Sequence, residues 1–263
     1  MDKRRKYMIP KVIHYCWFGG KQIPDEYKKY MESWSKYCPD FEIKRWDESN
    51  FDINSNVYCK EAYEAKQWAF VSDYARLKII YEQGGVYLDT DVELIRDIEP
   101  LIQSGDGFIG FQNPVEVNTG LGFAAAKENP CIKSMLSIYE NKKFILKSGD
   151  LNKIPCPASN TVGLQKCGLR IGKKYSKEIQ KLQGLNVYPV DYFCPLNADT
   201  SKLTVTENTY SIHQYTASWL KEGNKRIQKL KKYIPNVLLN LRVIRISYRD
   251  IAKINKEIKS EVN

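Results

Sequence analysis

The change of pattern at Gly84-Gly85 constrains the fold of this chain more than any other feature of the sequence. Upstream, Ala69, Val71, Tyr74, Leu77, Ile80 and Tyr81 recur at helical spacing; the glycines supply a left-handed stop, and Val86, Tyr87 and Leu88 then read as a short buried strand. That strand delivers Asp89 and Asp91 to its C-terminal edge. Alternate residues of an extended chain share a face, so the two carboxylates can converge on one hard divalent cation together with the oxygens of a diphosphate. A solvated turn carrying two acids is the alternative, because Asp-x-Asp is common; a buried strand leading into it weighs toward the metal.

The rest of the chain supplies a frame for this edge. Pro10 to Phe18 reads as a first buried strand ending at Gly19-Gly20, Pro24 opens a helix to about Tyr37, and Phe41 to Trp46 alternates as a second strand. Asn50 to Asn56 reads as loop and the stretch from about Tyr58 to Gln83 as one long helix. Gly107 to Gln112 and Gly120 to Ala125 read as further strands, with a helix from Pro130 to about Phe144. Gly149 to Asn160, rich in Pro, Gly, Asn and Ser, reads as a loop over the site, and Asn186 to Val190 and Thr209 to His213 as short strands. The order strand, helix, strand, helix, strand predicts an α/β fold, Rossmann-like, with a mainly parallel sheet, flanking helices and ligands at the C-terminal edge.

Several segments together resemble a known family: Ile9 to Gly20, then Trp34, Pro39 and Trp46, then Ser72-Asp73-Tyr74-Ala75-Arg76, and Gly84 to Asp91. They are similar to glycosyltransferase family 32, the transferases with a DXD sugar-binding region, which include capsule and lipopolysaccharide enzymes and are related to the catalytic domains of large glucosylating toxins. The resemblance implies a GT-A fold, a nucleotide-sugar donor and a divalent metal, Mn2+ or Mg2+. It implies Asp91 as direct metal ligand and Asp89 acting through water or the ribose. His213 opens His213-Gln214-Tyr215-Thr216-Ala217-Ser218-Trp219, similar to the family's closing motif, which implies His213 as a third ligand and Ser218 and Trp219 as diphosphate contacts.

Asp73 and Arg76 lie three apart on one helical face, as a buried ion pair would. In the related toxins the matching Asp-x-x-Arg contacts the transferred sugar, so the two also stand as donor-binding and catalytic candidates beside Asp89 and Asp91. Trp17 is either core or the platform on which the nucleobase stacks, as its place before Gly19-Gly20 implies. Tyr87 and Asn118 complete the donor candidates, against the plainer readings of a strand aromatic and a turn asparagine. His14, inside the first apolar strand, reads as structural.

The net charge of +10 belongs to the ends: residues 2 to 6 carry +3 and Lys221 to Asn263 carry +8. This divides the chain into a transferase domain, 1–220, and a basic helical extension, 221–263. Within the extension Val237, Leu241, Ile244, Tyr248, Ile251 and Ile258 follow helical spacing, Pro235 breaks the helix from the basic segment before it, and Arg242, Arg245, Arg249, Lys253 and Lys256 take other faces. An amphipathic basic helix fits packing on the catalytic domain, attachment to an anionic membrane surface, or, least well, nucleic acid. No signal peptide or membrane span is evident, and seven scattered cysteines without a Cys-x-x-Cys pair read as reduced thiols, which together predict a cytoplasmic location, peripheral at the membrane if the helix binds lipid.

The activity expected is transfer of a hexose or N-acetylhexosamine, with retention, from a UDP-sugar in preference to a GDP-sugar, onto a glycan or lipid-linked glycan acceptor such as a capsule, O-antigen or exopolysaccharide intermediate. Two rivals stand beside it. One is a membrane- or nucleic-acid-binding protein with an inactive transferase-like core. The other is a haloacid-dehalogenase-like phosphatase, whose nucleophile motif Leu88 to Val92 resembles but which carries that motif on its first strand.

Overall fold

A computed structural model describes residues 8–216 and 236–262. Ser218, Trp219 and Pro235, singled out above, lie outside the described residues. The chain opens with β1 (Val12–Cys16), α1 (Asp25–Tyr37) and β2 (Glu42–Trp46), followed by helices α2 (Val57–Glu64) and α3 (Trp68–Gln83). Strands β3 (Gly85–Tyr87), β4 (Val92–Leu94), β5 (Gly107–Phe111) and β6 (Val117–Ala125) come next, then helices α4 (Pro130–Ser137) and α5 (Cys156–Gln165). Strands β7 (Gln180–Leu182) and β8 (Leu185–Tyr188), the one-turn α6 (Val190–Phe193), β9 (Ser211–His213) and the long α7 (Asn236–Val262) complete it.

Seven strands form one sheet in the order β2-β1-β3-β6-β5-β8-β7. β1 runs parallel to β2 and β3, and β5 parallel to β8, while β6 and β7 oppose their neighbours; five of the seven strands therefore share a direction. This is the mainly parallel α/β sheet with flanking helices that the element order predicts. Gly84 and Gly85 take φ of +68° and +106°, and the Gly84 N–H returns to the carbonyl of Ile80 to close α3. A Cβ on Gly85 would stand 2.8 Å from the Val12 carbonyl oxygen, so the turn into β3 is closed to side chains by space as well as by backbone conformation.

Two apolar clusters sandwich the sheet. Val71, Leu77 and Ile80 of α3 pack on one face with Ile109 and Phe123, and Ile13, Trp34, Val86 and Leu88 pack on the other. α7 joins the first cluster through Ile251 and Ile254, with Ile244 and Ile258 beside them, and buries Ser247 and Asp250. Leu238, Leu241 and Tyr248 stay exposed, so the apolar residues of this helix divide between two faces. Among the described residues no helix is long and apolar enough to cross a membrane. All seven cysteines are unpaired, and six are buried.

Three expectations need correction. The helix expected from about Tyr58 to Gln83 is two helices, parted at Ala65-Lys66-Gln67, where Lys66 takes φ of +55° and the Gln67 N–H turns back to the Ala62 carbonyl. The helix opening at Pro130 ends at Ser137, well short of Phe144. The loop expected over 149–160 gives way at Cys156 to α5, whose residues from Cys156 to Leu164 are all buried. Prolines at the start of a helix forgo only N–H groups that would have no helical partner, so Pro155 and Pro157 open this helix rather than prevent it.

His14 is structural. Its Nε2 lies 3.0 Å from the Gly84 carbonyl oxygen, and Nδ1 accepts the Trp46 indole N–H at 3.0 Å, which fixes a neutral tautomer. Burial lowers its pKa to about 4. The unfolded chain, with an ordinary histidine, takes up this proton first on acidification, so the stability tied to neutral His14 is whole above about pH 6.5. It falls away as pH drops toward 4, by about 3 kcal/mol in all. Urea unfolding of the wild type and of His14→Gln between pH 7.5 and 4.5 reads this directly: the wild type shows the extra loss on acidification, and equal slopes would refute it.

Candidate active site

β3 carries the acidic pair to the sheet edge. The Leu88 N–H donates to the His14 carbonyl, extending the β1 pairing one residue past the strand, and the Val92 N–H closes a turn on the Asp89 carbonyl. β4 then pairs antiparallel with β9 so that Val92 stands opposite His213. This two-stranded ribbon sets a histidine more than a hundred residues away against the Asp-x-Asp turn. The Gln214 N–H donates to the Asp91 carbonyl, and the Thr216 N–H and hydroxyl both reach Asp91 Oδ2 at 3.1 Å.

Ligand atoms of Asp89, Asp91 and His213 lie within 4.8 Å of one another, with His213 Nε2 3.3 Å from Asp91 Oδ1. His213 Nδ1 is buried and has no hydrogen-bond partner among the described residues. Burial opposes ionisation of Asp91, but the His213 charge and the His213 and Thr216 hydrogen bonds outweigh it and hold the carboxyl at about 2. Burial likewise disfavours the imidazolium, yet Asp91 and Asp89 together raise the His213 pKa above its ordinary value. Two carboxylate oxygens and an imidazole nitrogen at this spacing suit a divalent cation such as Mn2+ or Mg2+.

Arg76 ties the acidic pair to α3. Its Nη2 lies 2.9 Å from Asp73 Oδ1, its Nη1 3.2 Å from Asp89 Oδ2, and its Nε donates to the Ser72 carbonyl at 3.0 Å. The guanidinium sits over the Tyr87 ring, whose hydroxyl donates to Asp89 Oδ1 at 2.9 Å. Both Asp89 oxygens are therefore engaged, one by Arg76 and one by Tyr87. Burial raises the Asp73 and Asp89 carboxyls, against the pull of Arg76. With Asp73, Asp89 and Asp91 ionised against one arginine, the cluster carries −2 when His213 is neutral, an imbalance that a divalent cation would cancel.

Two further predicted residues reach this cluster through neighbours. The Trp17 indole donates to the Lys21 carbonyl and faces the Tyr27 ring at 5.8 Å between centroids, and the Tyr27 hydroxyl lies 2.8 Å from the Thr216 hydroxyl that meets Asp91. Asn118 sits on β6, where its Oδ1 accepts the Gly120 N–H at 2.7 Å. A Cβ on Gly120 would stand 2.7 Å from Asp89 Oδ2 and 3.1 Å from Arg76 Nη1, so glycine is what lets β6 pass this close. Asp73, Arg76, Tyr87, Asp89, Asp91 and His213 thus form one contact set, with Trp17 and Asn118 at its margins.

Tyr27, Gly120 and Thr216 belong to the site and were not singled out from the sequence. Thr216 stood inside a quoted motif, but only the backbone turn shows that it holds Asp91. Cys156, at the start of α5, was hidden in the supposed loop; its thiol lies against Asp73 and 3.8 Å from Asn118 Oδ1.

Fold and site together define an α/β protein with a histidine-assisted carboxylate pair at the sheet edge. Residues 24–107 match the family described as glycosyltransferase sugar-binding region containing DXD motif. An uncharacterized glycosyltransferase of Acanthamoeba polyphaga mimivirus is 32% identical over 111 residues, 40% of this chain and 44% of that protein. Inositol phosphoceramide mannosyltransferase 3 of Schizosaccharomyces pombe is 33% identical over 98 residues, 36% of this chain and 27% of that one. The match thus spans less than half the length of either relative. Among solved structures, the PaToxG glycosyltransferase is similar at a TM-score of 0.48 and 19% identity, over 60% of this chain and 69% of that one. The chain carries the DXD sugar-binding region of the glycosyltransferases, as its motifs implied, and the phosphatase reading falls away.

Proposed function

We propose that this protein is a metal-dependent, retaining glycosyltransferase that moves a hexose or N-acetylhexosamine from a nucleoside-diphosphate sugar, a UDP-sugar in preference to a GDP-sugar, to a hydroxyl of a surface-glycan intermediate. The observation that carries this reading is the convergence of Asp89, Asp91 and His213 beside the Arg76 fork, the two aspartates and Arg76 lying inside a matched sugar-binding region and His213 brought to them from outside it by the β4–β9 ribbon. Asp91 and His213 would hold the cation directly and Asp89 through water or the ribose. A bound Mn2+ or Mg2+ supplies charge neutralisation for the departing diphosphate.

The chain's own groups have the remaining tasks. Asp73 and Arg76 pair hydroxyls of the transferred sugar and so select among epimers, because an unmatched buried polar group is costly. Asn118 faces the sugar or the acceptor, Trp17 stacks on the base, and Ser218 and Trp219 contact the diphosphate. Arg76 occupies Asp73 and Asp89, while His213 and Thr216 occupy Asp91, which leaves these carboxylates poorly placed to act as nucleophile. Retention then follows from attack of the acceptor hydroxyl on the face the diphosphate leaves: the new bond forms at C1 as the C1–O bond to phosphate breaks, and a leaving phosphate oxygen takes the hydroxyl proton.

The acceptor would approach from the side of Tyr215. A cleft of about 1150 Å3 is lined by Gln112, Tyr192, Tyr215 and Leu241, and the Tyr215 ring packs on His213 at 4.2 Å between centroids. Residues 221–263 would serve as an appendage to the 1–220 transferase domain. The outward face of α7, with Leu238, Leu241 and Tyr248 exposed among Arg242, Arg245 and Arg249, fits an anionic membrane surface that carries lipid-linked acceptors. Nucleic acid has no part in this reading.

Release of nucleoside diphosphate from a panel of UDP- and GDP-sugars, with Mn2+ and again with EDTA, tests it. One donor is expected to turn over only with metal, and the product linkage keeps the donor's anomeric configuration. An inverted product would refute the retaining mechanism. No turnover, together with no calorimetric binding of UDP or GDP in the presence of Mn2+, would refute the transferase itself in favour of a binding protein with an inactive core.

A further inference from the structure

Behind Asn118 lies a run of side-chain hydrogen bonds that starts on α7. The Ser247 hydroxyl, almost fully buried, donates to Glu116 Oε2 at 2.6 Å. The same oxygen accepts Asn113 Nδ2 at 3.0 Å and Gln112 Nε2 at 3.1 Å. Gln112 Oε1 then accepts Asn118 Nδ2 at 3.0 Å, and Asn118 Oδ1 accepts the Gly120 N–H at 2.7 Å, beside Asp89 and Arg76.

The polarity of this run is dictated from one end. Glu116 Oε2 accepts from Ser247, Asn113 and Gln112 alike, so the Gln112 amide turns its NH2 toward Glu116 and its oxygen toward Asn118. Asn118 must answer with its own NH2, which leaves its oxygen on the Gly120 N–H. Reversing any one amide would set oxygen against oxygen within a part-buried run, at the cost of an unmade hydrogen bond. Glu116 is itself only 7% exposed, and Ser247 of α7 covers it.

We propose that Glu116 is a positioning residue that sets the orientation of Asn118 in the sugar site, and that α7, through Ser247, holds Glu116 in place. The helix is then part of the site's support, in addition to any role in attachment. The inference rests on the proposed function only for the task given to Asn118; the hydrogen-bonded run stands without it.

The test uses the full chain labelled with 15N at asparagine, the Asn118 side-chain NH2 signals being identified by their loss in Asn118→Asp. Glu116→Gln keeps the shape and removes the acceptor-only character; Ser247→Ala removes one donor. Both are expected to move the Asn118 signals without metal or donor present, Glu116→Gln further. Glu116→Gln is also expected to lower kcat for sugar release roughly tenfold, with the Mn2+ concentration for half-activation changed less than twofold. Signals that superimpose on the wild type in both variants would overturn the proposal. So would signals that move in Glu116→Gln while kcat stays at the wild-type value. If Glu116→Gln fails to fold, the Ser247→Ala spectrum decides alone. A wild type that turns over no donor and binds neither UDP nor GDP with Mn2+ refutes the transferase reading, and the amide signals still decide whether α7 sets Asn118.

Discussion

On the proposed function, Asp91→Asn is expected to lower metal-dependent release of nucleoside diphosphate by roughly 10^3-fold, equivalent to about 4 kcal/mol of lost transition-state stabilisation. The substitution preserves volume and leaves the backbone turn intact, because the Gln214 N–H bonds to the carbonyl of residue 91 and the Thr216 N–H can still donate to a side-chain oxygen. The charge is lost. His213 then faces a neutral amide, and the cluster would lose its directly coordinating carboxylate, with Asp89 left as the nearest anionic group. A stability cost accompanies the kinetic one. The wild-type carboxyl is held at about 2, below its unfolded value, so its contribution is whole above the unfolded pKa and is lost as pH falls through about 2. Linkage makes that contribution about 2 kcal/mol at neutral pH. Steady-state kinetics with Mn2+ and urea unfolding in EDTA, both at pH 7.5, read the two effects separately. Retention of metal-stimulated turnover within tenfold of wild type would remove Asp91 as a ligand.

The sequence made the acidic edge legible because three signals coincide there: a helical period ending at Gly84-Gly85, an apolar run too short for a helix, and acids two apart on an extended chain. The direction of the sheet followed from the alternation of strands and helices. His213 was readable only through a resemblance. The ribbon that brings it to Asp91 consists of β4 and β9, three residues each, which is too few for a period of two to show. α5 was unreadable for the opposite reason. Its Pro, Ser, Asn and Thr look like loop, yet these small side chains fill a buried helix in which Asn160 bonds Thr119 and Ser159 receives the Lys142 ammonium. The break between α2 and α3 carries neither Gly nor Pro, so nothing in its composition announced it. Asp73 and Arg76 were visible as an i, i+3 pair, but Asp89, thirteen residues on, enters the same ion cluster only through tertiary packing.

That three-residue cluster makes Arg76 a position where substitution is expected to cost much stability. Arg76→Met keeps the length of the buried stem and removes the cation, leaving Asp73 and Asp89 facing each other's charge inside the protein. Breaking a buried pair by deleting one partner costs about 3–5 kcal/mol, a large share of a stability that is typically about 5–15 kcal/mol. The pH dependence identifies the cause. Burial already raises both carboxyls above their unfolded values, and without the guanidinium they rise further. The folded variant therefore binds protons more tightly than its unfolded chain, and its stability recovers as pH falls from the raised folded pKa toward the unfolded one. The gap to wild type in urea unfolding, measured in EDTA, is expected to be widest at pH 7.5 and to narrow by pH 5. A gap that is constant, or that widens on acidification, would mean that lost packing and not unpaired charge is responsible. Arg76→Lys separates charge from shape. An ammonium can satisfy one carboxylate as a point charge but cannot span Asp73 and Asp89 as the planar fork does, nor spread over the Tyr87 ring. Its stability should fall less than that of the Met variant, by about 1–2 kcal/mol for the hydrogen bonds it cannot make. Its donor turnover should fall nearly as far, because the orientation of Asp73 and Asp89 depends on the fork and not on the charge alone.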